Sequence, residues 1–105
     1  MNKIALIIAG LTVSSFSTAA LANDAAELAK KSGCMNCHAV AAKVVGPSLK
    51  DIAAKYKGDK DASAKLVTKS QNGGSGVWGT MPMPAVKGKV SVADTKTIVD
   101  WMLAQ

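Results

Sequence analysis

Residues 33–38 read GCMNCH, and they hold both cysteines of the 105-residue chain, Cys34 and Cys37, together with its only histidine, His38. Three chemistries suit two cysteines separated by two residues: a dithiol or disulfide redox site, a zinc site and, when histidine follows directly, the attachment site of a c-type haem. A redox site of the first kind expects a βαβ context, and the sequence has no alternating strand pattern. Structural zinc takes four ligands, whereas the chain offers only these three, two of which are adjacent.

Haem attachment has a geometric reason. Cysteines three positions apart on a helical turn lie on one side of it, so both sulfurs can bond the two vinyl groups along one edge of a haem. His38 follows at the position from which an imidazole can bind the iron. We therefore predict one covalently attached haem c, with Cys34 and Cys37 as the thioether positions and His38 as an iron ligand. A lone structural disulfide is the alternative.

A stable six-coordinate haem iron needs a second axial ligand, and methionine sulfur is the natural candidate in a chain with one histidine. Met1 falls in a predicted leader, Met35 lies inside the motif, and Met102 lies in an apolar helical run where core packing explains it. Met81 and Met83 remain, both in a loop rich in glycine and proline.

The residues themselves leave the choice between these two methionines open. Met83 stands between Pro82 and Pro84. Because proline fixes its own φ and restricts the residue before it, a sulfur on that segment is pre-positioned. Met81 precedes a single proline and could serve as an apolar contact instead.

The first 22 residues have the layout of a secretory signal peptide. Lys3 supplies the positive charge, residues 4–13 form the apolar run, and Ala20-Leu21-Ala22 is a small-residue cleavage site. The apolar run is too short to span ~30 Å of hydrocarbon. We predict cleavage after Ala22, which leaves a single periplasmic domain of residues 23–105. No stable membrane insertion is expected after cleavage.

The composition is basic, with 13 lysines, no arginine and seven acidic residues. Nucleic-acid binding is disfavoured because the chain has no arginine for bidentate phosphate contacts and its lysines form no long run. The lysines indicate solvated faces or the steering of an acidic partner. A domain of this size rarely draws enough stability from its own core, so a large covalent cofactor would help it fold.

The spacing of apolar residues predicts an all-α domain of four helices. Two of the helices begin at capping boxes, in which a serine is followed three residues later by an aspartate. The expected helices run from Asn23 or Asp24 to near Gly33, from Ser48 to Gly58, from about Asp61 to Asn72, and from Ser91 to the end of the chain. The third should bury Leu66 and part of Val67. Between the third and fourth lies the glycine- and proline-rich loop, residues 73–89, which we expect to be structured and functional.

Taken together, the chain resembles the small single-haem class I cytochromes c of bacteria, the cytochrome c-551 type. The resemblance covers nearly all of residues 23–105 and rests on GCMNCH, VGPSLKDIAAKY, NGGSGVWGTMPMP and the final WMLAQ. It implies the cytochrome c fold, with about four helices wrapped around one haem. It also implies Cys34 and Cys37 as the thioether positions, His38 as the proximal iron ligand and Met83, in the loop, as the distal one.

The resemblance implies further roles in the haem pocket. Pro47 would accept a hydrogen bond from Nδ1 of His38 through its carbonyl, which orients the ring and strengthens it as a donor. Trp78 would donate its indole N–H to a haem propionate, with plain packing as the alternative. Lys69 stands where relatives often carry an arginine near a propionate, so a point charge would replace a bidentate contact.

Two other implications concern the frame of the pocket. Relatives tend to carry a second proline and an asparagine after PMP, where this chain has Ala85 and Val86, so the support of the methionine segment is expected to differ. The first and last helices are expected to cross near Gly33, where the missing side chain permits close approach.

The function that the resemblance implies is periplasmic electron transport by a monomer that is not an enzyme. It suggests a quinol-oxidising membrane complex as donor and a terminal oxidase, a nitrite reductase or a peroxidase as acceptor. Lys30, Lys31 and Lys43 are candidate docking residues, although solvation explains them equally well. The rival interpretations are a gas sensor or small peroxidase with an open iron, and an exported dithiol protein or metal chaperone without haem.

Overall fold

The computed structural model describes Gly10 and residues 18–105. The described chain forms four α-helices and one 3-10 turn, in the order α1 (Thr18–Lys31), the 3-10 turn (Cys34–Asn36), α2 (Leu49–Lys55), α3 (Ala62–Asn72) and α4 (Val92–Leu103). Its extended pairing is limited to two isolated β-bridges. The predicted all-α class is therefore confirmed.

Most of the predicted signal peptide lies outside the described residues, including Lys3 and all of the apolar run except Gly10. Its cleavage after Ala22 stays a prediction. Among residues 18–105, no helix combines the length and the apolar character that crossing a membrane requires.

The predicted start of the first helix is wrong. Helix α1 begins at Thr18, so Asn23 and Asp24 lie inside it and do not cap it. Residues 19–22 are alanines and a leucine, which are the strongest helix formers, and nothing between them and Asn23 interrupts the helix. The predicted cleavage position falls within this helix.

Both capping boxes form at the helix starts where they were predicted. The Ser48 hydroxyl oxygen accepts a hydrogen bond from the Asp51 N–H at 3.1 Å, and the Ser91 hydroxyl accepts one from the Asp94 N–H at 3.0 Å. Each serine has an extended backbone and directly precedes its helix, as an N-cap residue should. The starts of α2 and α4 are therefore fixed by local sequence.

Helix α4 is the centre of the fold and packs against α1, α2 and α3. The core joins Leu49 and Ile52 of α2, Leu66 of α3 and Val99 of α4. Leu66 is buried and Val67 packs half-buried against this core, as the periodicity of α3 predicts.

The first and last helices pack against each other, but the close approach predicted at Gly33 itself is wrong. A Cβ atom at Gly33 would meet, among the described residues, only the Asn36 side-chain nitrogen at 3.6 Å, so no helix approaches it closely. Among the residues of α1 whose burial the structure describes, Ala25 and Ala29 are buried, and their small side chains permit close packing. Gly33 has a φ of 81° and serves to turn the chain out of α1.

The loop of residues 73–89 returns to the end of α3. The Val86 N–H donates to the Ser70 carbonyl at 3.0 Å, and the Lys87 N–H donates to the Gln71 carbonyl at 3.2 Å. These contacts hold the second half of the loop beside α3.

Candidate functional site

The GCMNCH motif folds as a tight turn. The N–H groups of Cys37 and His38 both donate to the Cys34 carbonyl, at 3.3 Å and 3.1 Å. Both cysteines are half-buried thiols, not joined in a disulfide. Burial raises the pKa of the Cys34 thiol above its ordinary value. The turn thus presents two free sulfurs and one imidazole from a single short segment.

The imidazole of His38 is oriented by a backbone carbonyl. Its Nδ1 lies 2.7 Å from the Pro47 oxygen, which is the contact that the resemblance implied. Because a carbonyl can only accept, Nδ1 carries the proton and donates it. The lone pair on Nε2 is therefore available to bind a metal, in the arrangement that metal-bound histidines usually adopt.

Gly46 is a site residue that the sequence analysis missed. A Cβ atom there would lie 2.6 Å from Cε1 and 3.1 Å from Nδ1 of His38. Its N–H also donates to the Cys37 carbonyl at 2.8 Å, which holds the loop against the motif. Only a residue without a side chain lets the ring lie this close to the backbone. In the sequence, only its position directly before Pro47 could have indicated that Gly46 belongs to the site.

All seven predicted site residues line one cavity. Its volume is about 600 Å³, and every helix contributes to its walls. Cofactor cavities in proteins usually have volumes of ~300–1,000 Å³. The seven residues are Cys34, Cys37, His38, Pro47, Lys69, Trp78 and Met83.

The two candidate methionines differ in exposure. Both line the cavity, but the Met81 side chain is 66% exposed while Met83 is half-buried. The Met83 backbone is also paired with Gly74, since each residue's N–H donates to the other's carbonyl at 2.9 Å. Met83 is therefore the methionine that is held in place.

Lys55, which was not predicted as a site residue, contacts the Trp78 side chain that lines the cavity. The Lys55 ammonium lies 5.5 Å from the centroid of the Trp78 ring, within the range of a cation–π contact. Trp78 itself is 43% exposed. The Lys69 ammonium is close to the Gly74 backbone, 3.2 Å from where a Cβ atom would stand. Lys69 and Trp78 both line the cavity, and their contacts with a haem propionate stay a prediction.

The candidate docking lysines have different surroundings. Lys43 lines the cavity, and its backbone forms a bridge with His38. Lys30 is paired with Glu27 at 3.3 Å, on the exposed face of α1. Lys31 is exposed in the last turn of α1.

The family model described as Cytochrome c matches residues 22–105. The chain belongs to the cytochrome c family. Cytochrome c-552 of Nitrosomonas europaea is 55% identical to this cytochrome over 78 residues, which are 74% of this chain and 75% of the relative. Cytochrome c-551 of Pseudomonas aeruginosa is 40% identical over 105 residues, 100% of this chain and 99% of the relative.

The fold of this cytochrome is similar to the crystal structure of wild-type Nitrosomonas europaea cytochrome c552. The two have a TM-score of 0.71 and 54% sequence identity, over 75% of this chain and 96% of the other. The predictions of a cytochrome c fold, of one covalently attached haem c and of an electron carrier that is not an enzyme are therefore confirmed. The donor set fits the group, because the cavity walls hold two thiols and an imidazole whose Nε2 is free.

Proposed function

We propose that this cytochrome is a soluble periplasmic carrier of single electrons between respiratory redox proteins. In this proposal Cys34 and Cys37 form the two thioethers, and His38 and Met83 are the axial ligands of the iron. The observation that supports it is the convergence of these four residues, from the turn and from the loop, on one cavity.

The haem supplies a one-electron iron couple, and the chain sets the conditions under which it works. The Pro47 carbonyl fixes the tautomer of His38 and strengthens Nε2 as a donor. A methionine thioether opposite histidine raises the reduction potential. Leu49, Ile52 and Val99 form part of the wall and exclude water from it.

The paired backbone of Met83 supports its assignment as the distal ligand. A carrier gains from ligands that stay bound in both oxidation states, because little then has to move when an electron arrives. Met83 is half-buried and its backbone is bonded to that of Gly74, so the main chain that carries its side chain is held in place. The exposed Met81 has no such restraint among the described contacts.

Location in the periplasm rests on the predicted signal peptide, residues 1–22. The family match begins at residue 22, beside the proposed cut, and so supports a division into a leader and a domain of residues 23–105. We propose that the processed domain is a monomer that is not inserted in a membrane.

Partners would dock transiently at the mouth of the cavity. Four large side chains that line the cavity are also exposed there, Val45, Val77, Trp78 and Met81, and small contacts of this kind suit redox encounters. Of the candidate lysines, Lys43 lies at the cavity while Lys30 is engaged by Glu27. The proposed donor is a quinol-oxidising membrane complex, and the proposed acceptor is a terminal oxidase, a nitrite reductase or a peroxidase.

Matched substitutions of the two methionines test the ligand assignment. Met83→Ala should abolish the charge-transfer band of methionine-bound ferric haem and lower the reduction potential, because the thioether that raises the potential is lost. Met81→Ala, in the same loop, should leave both unchanged. Redox titrations followed by visible spectroscopy would measure this. Loss of the band in Met81→Ala with its retention in Met83→Ala would overturn the assignment.

A further inference from the structure

Gly73 ends α3 in a conformation that few other residues adopt. Its backbone angles are φ 69° and ψ −161°, a region that is essentially restricted to glycine. Its N–H donates to the Lys69 carbonyl at 2.7 Å. The chain therefore leaves α3 sharply at this residue and enters the methionine loop.

The backbone of the methionine segment lies directly against Gly73. A Cβ atom at Gly73 would stand 2.5 Å from the Met83 carbonyl oxygen, 2.7 Å from the Ala85 nitrogen and 3.0 Å from the Pro84 carbonyl carbon. All three neighbours are main-chain atoms, which no side-chain rotation can move away. Restoring an ordinary contact of 3.4 Å would displace the Met83 carbonyl by about 0.9 Å.

Hydrogen bonds fix the same segment on both sides of that contact. Gly74 and Met83 exchange two bonds of 2.9 Å, and the Val86 N–H donates to the Ser70 carbonyl. The separation between the end of α3 and the Met83 backbone is thus set by the size of residue 73.

We propose that Gly73 is a positioning residue for the distal iron ligand. Its missing side chain lets the Met83 backbone lie close enough to α3 for the sulfur to reach the iron. This inference rests on the proposed function, in which Met83 is that ligand.

Three glycine-to-alanine variants of the haem-loaded protein separate this contact from backbone strain. Gly73→Ala combines the backbone strain of a positive φ with a clash between the new Cβ atom and the Met83 carbonyl oxygen. Gly58→Ala, at a φ of 80° between α2 and α3, would meet none of the described atoms within 4 Å of its Cβ position. Gly88→Ala has a φ of 82°, and none of the described residues has an atom within 4 Å of its Cβ position. All three therefore share the cost of a positive φ.

Competition by imidazole for the ferric iron measures how firmly the methionine is bound. Gly73→Ala should bind imidazole roughly 5- to 150-fold more tightly than the wild type. The strain at residue 73 would weaken the bond from methionine to iron, so imidazole would displace the methionine more easily. Its methionine–iron charge-transfer band should weaken as well. Gly58→Ala and Gly88→Ala should stay close to the wild type in both measurements.

A double variant shows whether the effect acts through the methionine. Gly73→Ala combined with Met83→Ala should bind imidazole as tightly as Met83→Ala alone, because no sulfur remains to be displaced. Additive effects would overturn the inference, and so would equal imidazole affinities for Gly73→Ala and Gly88→Ala. A wild-type protein without the methionine–iron band would overturn the proposed function and this inference with it.

Amide hydrogen exchange of the wild-type protein gives a test that does not depend on how the variants fold. The Gly74 N–H donates to the Met83 carbonyl, and the Met83 N–H donates to the Gly74 carbonyl. Both amide hydrogens should therefore exchange slowly and at similar rates. Exchange of the Met83 N–H at the rate of an unprotected amide would overturn the inference.

Discussion

Replacement of Gly46 by alanine would place a methyl group against the imidazole of His38. The new Cβ atom would lie 2.6 Å from Cε1, so the ring or the backbone must shift by about 0.8 Å to reach an ordinary contact of 3.4 Å. The backbone is held by the 2.8 Å bond from the Gly46 N–H to the Cys37 carbonyl. We therefore expect the ring to move and its 2.7 Å bond to Pro47 to lengthen.

The size of the effect follows from three contributions to the free energy of unfolding. Overpacking of a filled site costs ~1–3 kcal/mol, and loss of the Nδ1 hydrogen bond costs ~0.5–1.5 kcal/mol. Alanine also restricts the unfolded chain, which returns ~0.4–1 kcal/mol. Gly46 does not have a positive φ, so no backbone strain is added. The net loss of about 1–3 kcal/mol should lower Tm by roughly 5–20 °C in a domain of this size.

Thermal unfolding of the haem-loaded protein, followed by circular dichroism, would measure this loss. The control is Gly58→Ala, which has a φ of 80° and no atom of the described residues within 4 Å of its Cβ position. Both variants should be less stable than the wild type. Only Gly46→Ala should also change the reduction potential, because only it disturbs the iron-binding imidazole. A Tm at or above the wild-type value, with an unchanged potential, would refute the reasoning.

Other substitutions test the helices that frame the site. A hydrogen bond from Lys96 holds the pKa of Asp100 in the folded protein below its usual range. Ionised Asp100 therefore stabilises the fold at pH values above the pKa that it has in the unfolded chain. This stabilisation is lost as pH falls through the lower pKa of the folded protein. Asp100→Asn should thus be less stable than the wild type in urea at pH 7, and the difference should start to shrink near about pH 4, the usual pKa of an unfolded aspartate, and disappear as pH falls through the lower folded pKa; a difference independent of pH would contradict this. Ser48→Ala should lower the urea midpoint by the equivalent of ~1 kcal/mol, through loss of the α2 cap, and an unchanged midpoint would show that the cap adds nothing. Val99→Ala, at a side chain only 2% exposed, should cost about 2–3 kcal/mol in the same assay, whereas Val92→Ala, exposed on the same helix, should cost less than about 0.5 kcal/mol; equal losses would contradict the assigned core.

Features that depend on neighbouring residues could be predicted from the sequence. The starts of α2 and α4 each follow from a serine and an aspartate three residues apart, and both serine hydroxyls accept the expected bond. The grouping of Cys34, Cys37 and His38 similarly predicted one covalently attached haem c without any knowledge of the fold. In each case the interacting groups lie within one helical turn.

Features that depend on distant backbone could not be predicted. The nine glycines of the chain look alike in sequence, yet a Cβ atom at Gly46 or Gly73 would meet His38 or Met83, respectively, within 2.6 Å. These contacts appear only when the loops fold back on the motif and on α3. The early start of α1 has a different cause, since helix propensity continues through residues 19–22 and overrides the expected cap.

The choice between Met81 and Met83 combined local and distant information. The two prolines that flank Met83 indicated a stiff segment, while its half-buried side chain and its pairing with Gly74 are known only from the fold. Its bond to the iron stays a prediction.

The most direct test asks whether two protein ligands occupy both axial positions of the iron. It uses visible absorption spectra of the reduced, periplasmically produced protein, recorded before and after addition of carbon monoxide. With His38 and Met83 both bound, the spectrum should show sharp c-type haem bands that the gas leaves unchanged. Bands that shift with carbon monoxide would mean an open iron, as in a gas sensor or a peroxidase, and the absence of haem bands would contradict the account altogether.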